Sequence, residues 1–201
     1  MIDGQSTTVW RRSERERLLA DRMAIDPIQL AAWRAMIDGH IQSAFPVIHE
    51  GIVGFCWPYR NEYDARYLMQ CVRARGGRTA LPVVLAPRAP LEFRLWSPGD
   101  PLSQGVYGIP FPERGEGVVP DHLIVPMNGF DREGFRLGYG GGFFDRTLAH
   151  MQRRPCTIGV AFEIAAMATL HPQTHDIPMD WIVTEAGVRS GSAAAYRRNS
   201  R

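Results

Sequence analysis

The chain has 201 residues, 45% of them hydrophobic, with 23 basic and 21 acidic side chains. That length supports one sizeable core in one domain, without disulfide or metal staples. Every basic residue in that count is Arg, so a Schiff-base lysine, a lysine general base and a Walker loop with its phosphate-binding lysine are all excluded. A net charge of +2 is too balanced to argue for nucleic-acid binding. Cys56, Cys71 and Cys156 are odd in number and lack metal-ligand spacing, which predicts a reduced, cytoplasmic protein. No window approaches the roughly 18 apolar residues of a spanning helix, so no membrane association is expected.

In chain order, residues 1–10 read as a flexible start. Ser13 to Ala24 reads as a helix of strong helix formers, stopped and restarted by Asp26-Pro27, and a second helix runs from about Pro27 to Ala44. The period then changes. Gly51 to Trp57 is a short buried strand, Glu62 to Arg75 a helix closed by Gly76-Gly77, and Arg78 to Leu85 and Leu91 to Trp96 are two further strands. Ser97 to Pro120 is rich in Pro and Gly and reads as a long ordered loop. Asp121 to Pro126 is another buried strand, followed by a glycine cluster that opens a helix from about Phe143 to Gln152. Thr157 to Phe162 and Trp181 to Thr184 complete the strands, and residues 190–201 read as a flexible tail. This alternation predicts an α/β fold. It is an open, mostly parallel sheet flanked by helices in a Rossmann-like three-layer arrangement, one domain over residues 11–189, with an N-terminal helical extension and its ligand outside the carboxyl ends of the strands.

The segment from Val125 to Arg146, VPMNGFDREGFRLGYGGGFFDR, carries most of the chemistry. Gly138, Gly140, Gly141 and Gly142 precede a helix start, and glycines let the backbone bring successive N–H groups against an anion at the positive end of the helix dipole. Arg136 and Arg146 flank the loop, and Asp145 in the first helical turn suits a Mg²⁺ bound to the same phosphates. The bland reading of these glycines is a tight strand-to-helix turn. Trp57 alone would be a core aromatic, Glu62 an ordinary first-turn acid, and the N-terminal arginines a solvated helix face. Cys56 reads as inert core, and Tyr59 and Tyr107 suit either packing or the lining of a ligand pocket. His171, His175 and Asp176 resemble a metal cluster, but Pro172 and Pro178 argue against the helix that an i, i+4 histidine pair needs.

These residues together resemble the 5-formyltetrahydrofolate cyclo-ligase family, also called 5,10-methenyltetrahydrofolate synthetase. The matching pattern is Val125-Pro126, Phe130-Asp131, Arg136-Leu137, Gly138 to Gly142, Phe143-Phe144 and Asp145-Arg146. His175 to Glu185, HDIPMDWIVTE, resembles the C-terminal block of the family, and Arg11, Arg15 and Arg22 match the spaced basic residues of its first helix. Glu62, five residues after Trp57, is a fourth match.

The resemblance implies an ATP- and Mg²⁺-dependent closure of 5-formyltetrahydrofolate to 5,10-methenyltetrahydrofolate. Phosphorylation of the formyl oxygen gives an iminium phosphate, N10 attacks, and ADP and phosphate are released. It implies nucleotide contacts at Arg11, Arg15, Arg136, Gly138, Tyr139, Gly140, Gly141, Gly142, Phe143 and Phe144, folate contacts at Trp57 and Glu62, and a catalytic role for Arg136 and Asp145, with Asp145 on the metal. Its expected partner is a small-molecule folate, and its expected state a monomer or weak homodimer. Arg11 stands where the family usually has Lys, and an Arg11→Lys change is expected to keep or raise activity. Phe111 stands where the family commonly has Glu. Two alternatives stay open: another formylated or carboxylated substrate, and a non-catalytic folate- or nucleotide-binding protein. Arg136→Ala and Asp145→Ala are expected to damage turnover far more than folding, because both should face a solvated site.

Overall fold

Asp26 and Pro27 divide the N-terminal region as the sequence predicts. The Asp26 carboxylate accepts hydrogen bonds from Ile28 N–H at 2.8 Å and Gln29 N–H at 3.4 Å, and Pro27 occupies the first turn, where no N–H is missed. A computed structural model describes residues 4–105 and 108–193; Tyr107 lies outside the described residues. Helices α1 (Gly4–Met23) and α2 (Pro27–Ala44) come first, then strand β1 (Ile52–Gly54), helix α3 (Arg66–Ala74) and strands β2 (Arg78–Val84) and β3 (Leu91–Leu95). Three short strands follow: β4 (Leu102–Gln104), β5 (Pro110–Pro112) and β6 (Gly117–Val118). Then come β7 (His122–Pro126), β8 (Gly129–Asp131), β9 (Arg136–Leu137), helix α4 (Phe143–His150), β10 (Cys156–Val160), β11 (Ala166–Met167), β12 (Trp181–Thr184) and β13 (Gly187–Ser190).

The main sheet has eight strands in the order β13-β12-β10-β7-β1-β2-β3-β6. Its centre, from β12 to β2, is parallel, and β13, β3 and β6 add antiparallel edges. Alternate residues of each central strand enter different cores. Val53, Ile124, Ile158 and Val183 pack with α2 and α3 through Ile37, Ile41, Leu68 and Val72. Ile52, Leu123, Val125 and Ile182 pack with α1 and α4 through Leu18 and Leu148. Burial on both faces is why these strands read as continuous apolar runs. The three-layer α/β expectation holds.

Four local readings change. Helix α1 begins at Gly4 rather than Ser13, so residues 4–10 are helical where a flexible start was expected. Trp10 lies edge-on to His171 at 5.0 Å and Arg11 bonds the same segment, so tertiary contacts extend the helix past its sequence propensity. Second, Glu62 does not open α3, which starts at Arg66. Third, the proline-rich stretch carries β4, β5 and β6. Fourth, residues 190–193 continue the fold: β13 pairs with β12, Gly191 N–H donates to Asp180 O at 2.8 Å and Ser192 N–H to Glu133 O at 2.7 Å. Residues 194–201 lie outside the described residues.

Strand β1 has β2 on one side and β7 on the other, so the sheet order reverses between β1 and β7. Open α/β sheets bind ligands in the crevice at such a point.

Candidate active site

A cleft of about 940 Å³ opens there, at the carboxyl ends of β1 and β7. Its lining gathers the residues for which the resemblance implies nucleotide, folate or metal contacts: Arg11 and Arg15 from α1, Trp57 and Glu62 after β1, Arg136 on β9, and the run from Gly138 to Asp145. Segments 125 residues apart in sequence therefore meet in one depression.

The glycine loop is shaped by backbone conformation. Gly140 and Gly142 have φ of 93° and 63°, a region that side-chain-bearing residues rarely adopt. Gly142 precedes α4 without a side-chain cap. Arg15 Nε donates to Gly138 O at 2.8 Å and fixes the start of the loop, while the Arg146 guanidinium donates back to Gly141 O and lies over the Phe143 ring. Burial, and then the nearby Arg11 cation, push the Arg15 guanidinium below its ordinary pKa. An anion seated between them would relieve that repulsion.

Arg136 and Asp145 form an ion pair at 2.8 Å, and Arg136 Nη1 also donates to Ile177 O at 2.7 Å. Asp145 Oδ1 accepts the Ile177 N–H at 3.0 Å. The Arg136 side chain is only 6% exposed, and burial pushes its pKa down. This corrects the expectation that both residues face a solvated site: the pair is tied into the chain before β12 as well as lining the cleft. Arg11 is similarly engaged. Its Nη2 reaches Asp176 Oδ2 at 2.5 Å and His171 O at 3.0 Å, and its Nε reaches Leu170 O at 3.3 Å. Burial opposes ionisation of Asp176, but the Arg11 hydrogen bond and the Gln173 N–H overcome it and hold this carboxyl below its usual range.

On the other wall, residues 59–62 make a tight turn. Glu62 N–H donates to Tyr59 O at 3.1 Å, with Arg60 and Asn61 at φ of 49° and 57°. Two successive left-handed residues are the signature of a type I′ turn, and non-glycine residues hold it only under outside restraint. Arg22 supplies that restraint by donating to Arg60 O at 2.8 Å. Glu62 Oε2 accepts the Tyr59 N–H at 3.1 Å and Oε1 accepts the Tyr139 hydroxyl at 3.0 Å. Burial raises the Glu62 pKa, and Arg22, Tyr139 and the Tyr59 amide oppose that rise. Trp57 packs edge-on to Trp96 at 5.6 Å, with the Arg66 guanidinium over its ring. Cys56 lines the same wall, and burial pushes its thiol up, which leaves it a poor nucleophile.

Some conspicuous residues are structural. Asp131 takes the N–H groups of Glu133, Phe135 and Leu170, closing the β8–β9 hairpin, and Asp180 Oδ2 takes the Thr157 N–H and hydroxyl. Among the described residues no three His, Cys, Asp or Glu side chains converge as a metal cluster, and no helix is long and apolar enough to cross a membrane. Arg22, which the sequence offers only as a spaced basic residue of the first helix, bonds Tyr139 and Arg60 beside the cleft, and Asp176, which it offers only within an apparent metal cluster, bonds Arg11 in the lining. Steps of four and seven along α1 put Arg11, Arg15 and Arg22 on one helix face, a signal present in the spacing.

The profile of the 5-formyltetrahydrofolate cyclo-ligase family matches residues 7–185. The 5-formyltetrahydrofolate cyclo-ligase of Escherichia coli (strain K12) is 31% identical over 182 residues, covering 87% of this chain and 97% of that protein. The enzyme of the same name from Haemophilus influenzae is 30% identical over 135 residues, covering 63% of this chain and 72% of that one. The NMR structure of Aquifex aeolicus 5,10-methenyltetrahydrofolate synthetase superposes with a TM-score of 0.77 at 28% identity, covering 90% of this chain and 92% of that one. With a switch-point cleft that joins the glycine loop to the Trp57–Glu62 wall, and a profile match over almost its whole length, the chain belongs to the 5-formyltetrahydrofolate cyclo-ligase family.

Proposed function

We propose that this chain closes 5-formyltetrahydrofolate to 5,10-methenyltetrahydrofolate, with ATP as co-substrate and Mg²⁺ bound to its phosphates. The observation that carries this reading is the meeting of two chemically different walls in one cleft, within a chain of this family. One wall is cationic and glycine-rich, from Arg11, Arg15, Arg136 and Gly138 to Gly142. The other offers Trp57 and Glu62, an aromatic face and a half-buried carboxylate.

A formamide oxygen is a poor leaving group, so ring closure needs it converted to a phosphate ester. The γ-phosphoryl passes to that oxygen, N10 attacks the activated carbon, and the carbon–oxygen bond breaks to release phosphate. Arg11 and Arg15 neutralise phosphate charge, and the loop amides orient it. Glu62 accepts hydrogen bonds from amino and N–H groups of the pterin, which sets the formyl carbon against the phosphoryl donor.

The carboxylates available to a metal are Asp145 and Asp176, each already holding an arginine. That fits an ion delivered on phosphates, for which one or two carboxylates suffice, and not a protein-built centre. When bound, Mg²⁺ would offset charge on the transferring phosphoryl group. Phe111 sits in the cleft wall with Val84, Leu91 and Ile109, which favours an apolar group there and motivates a panel of formylated and carboxylated substrates as the second reading. The test is incubation with 5-formyltetrahydrofolate, Mg²⁺ and ATP while following the near-ultraviolet absorbance of the methenyl product. No rise in a protein that binds nucleotide would overturn the proposal, and ATP hydrolysis across the panel would then identify the substrate.

A further inference from the structure

Tyr139 belongs to both walls of the cleft. Its backbone lies in the glycine loop, between Gly138 and the left-handed Gly140, while its hydroxyl leaves that loop to donate to Glu62 Oε1 at 3.0 Å. The same hydroxyl accepts from Arg22 Nη2 at 2.8 Å. Arg22 is 6% exposed and does not swing freely: its Nη1 donates to Asn128 Oδ1 at 2.7 Å and its Nε to Arg60 O at 2.8 Å. A buried cation on fixed acceptors thus presents one donor to the hydroxyl, and the hydroxyl donates its own hydrogen bond to Glu62.

We propose that Tyr139 is a positioning residue that couples the two substrates: an ordered glycine loop sets the Tyr139 hydroxyl, and the hydroxyl sets the carboxylate that faces the folate. This rests on the assignment above of nucleotide to the glycine loop and folate to Glu62. The geometry leaves the coupling few other routes. Glu62 Oε2 is held by its own turn through the Tyr59 amide and Oε1 by the Tyr139 hydroxyl, so the plane of the carboxylate is set jointly by its turn and by the glycine loop. Tyr139 is 46% exposed and touches Tyr59 edge-on at 5.7 Å, so apart from its hydroxyl it is not enclosed by packing and can follow the loop. Glycine on both sides removes the steric barrier to that shift. Arg22 acts as the fixed reference against which the movable hydroxyl is set. Coupling of this kind is reciprocal: whatever factor nucleotide adds to folate affinity, folate adds to nucleotide affinity.

The experiment is calorimetry on the full chain with a non-hydrolysable ATP analogue plus Mg²⁺, and with 5-formyltetrahydrofolate, each titrated in the absence and presence of the other. The expected result is that each ligand tightens the other about fivefold or more in the unaltered protein. In Tyr139→Phe the factor falls to near one, whatever happens to the individual affinities. Arg22→Lys, which keeps a cation but loses the fork, also lowers it. If both ligands bind the unaltered protein with no mutual effect, or if Tyr139→Phe retains more than half of the factor, the coupling role is overturned and the functional reading stands. If the unaltered protein binds neither ligand, the functional reading falls and takes the coupling with it.

Discussion

Removing the Arg136 guanidinium tests how far the cleft is also a structural joint. In Arg136→Ala the chain loses the ion pair to Asp145 at 2.8 Å and the hydrogen bond to Ile177 O at 2.7 Å. It leaves Asp145, 20% exposed, with a single backbone donor and no cation. Removing one partner of a buried pair costs about 3–5 kcal/mol, because the remaining charge keeps its desolvation penalty. At about 2–4 °C per kcal/mol for a domain of this size, the melting temperature should fall by about 6–20 °C. Circular dichroism melts of the ligand-free protein provide the assay, and Arg136→Met/Asp145→Leu provides the control. The double variant leaves no orphan charge, so it should melt above the single one. A melting temperature within about 2 °C of the parent, with turnover abolished, would refute the reasoning and restore Arg136 to a purely ligand-facing role.

Glu62→Gln should raise the folate KM by about tenfold and the ATP KM by less, since hydrogen bonds to a charged acceptor are worth about 1.5–3 kcal/mol; equal changes would contradict the assignment. Because burial raises the Glu62 pKa, kcat/KM for folate should fall with acidification at a pH above the ordinary glutamate value near 4.3, and Glu62→Gln should flatten that limb. Arg11→Lys should lower stability by about 1–2 kcal/mol, because one ammonium cannot serve Leu170 O, His171 O and Asp176 together, and nucleotide affinity should drop with it. This reverses the expectation drawn from composition, and an unchanged melt with raised activity would restore it. Asp176→Asn should cost about 1.5–3 kcal/mol at neutral pH. Since the folded state holds this carboxyl below its usual value, the stability is present above the unfolded pKa near 3.9 and is lost as pH falls through the folded one. Melts of both proteins should therefore converge in acid; a constant gap would show that the pair acts through packing alone.

The elements that local chemistry dictates were legible in the sequence. Helix α2 runs from Pro27 to Ala44 because a cap and a proline set its start, and β2, β3, β7 and β12 lie within a residue or two of their apolar runs. The start of α1 is not legible, since Trp10 and Arg11 are held by the His171 segment far along the chain. The Glu62 turn was read as helix for the same kind of reason: its left-handed pair depends on Arg22, which local propensity cannot reveal. Of the cleft lining, the glycine loop, Arg11, Arg15, Trp57 and Glu62 are legible in the sequence. What the sequence could not show was their engagement with other parts of the chain, which makes Arg11 and Arg136 joints of the fold, places Asp176 in the cleft lining and sets buried Arg22 behind Tyr139.

The central claim is ring closure driven by phosphoryl transfer. Its most direct test is a single incubation of the protein with 5-formyltetrahydrofolate, ATP and Mg²⁺ that records near-ultraviolet absorbance and ADP together. The account predicts methenyl product rising in step with equal amounts of ADP and phosphate. Bound nucleotide and bound folate with neither ADP nor methenyl product would contradict it and leave a binding protein in its place.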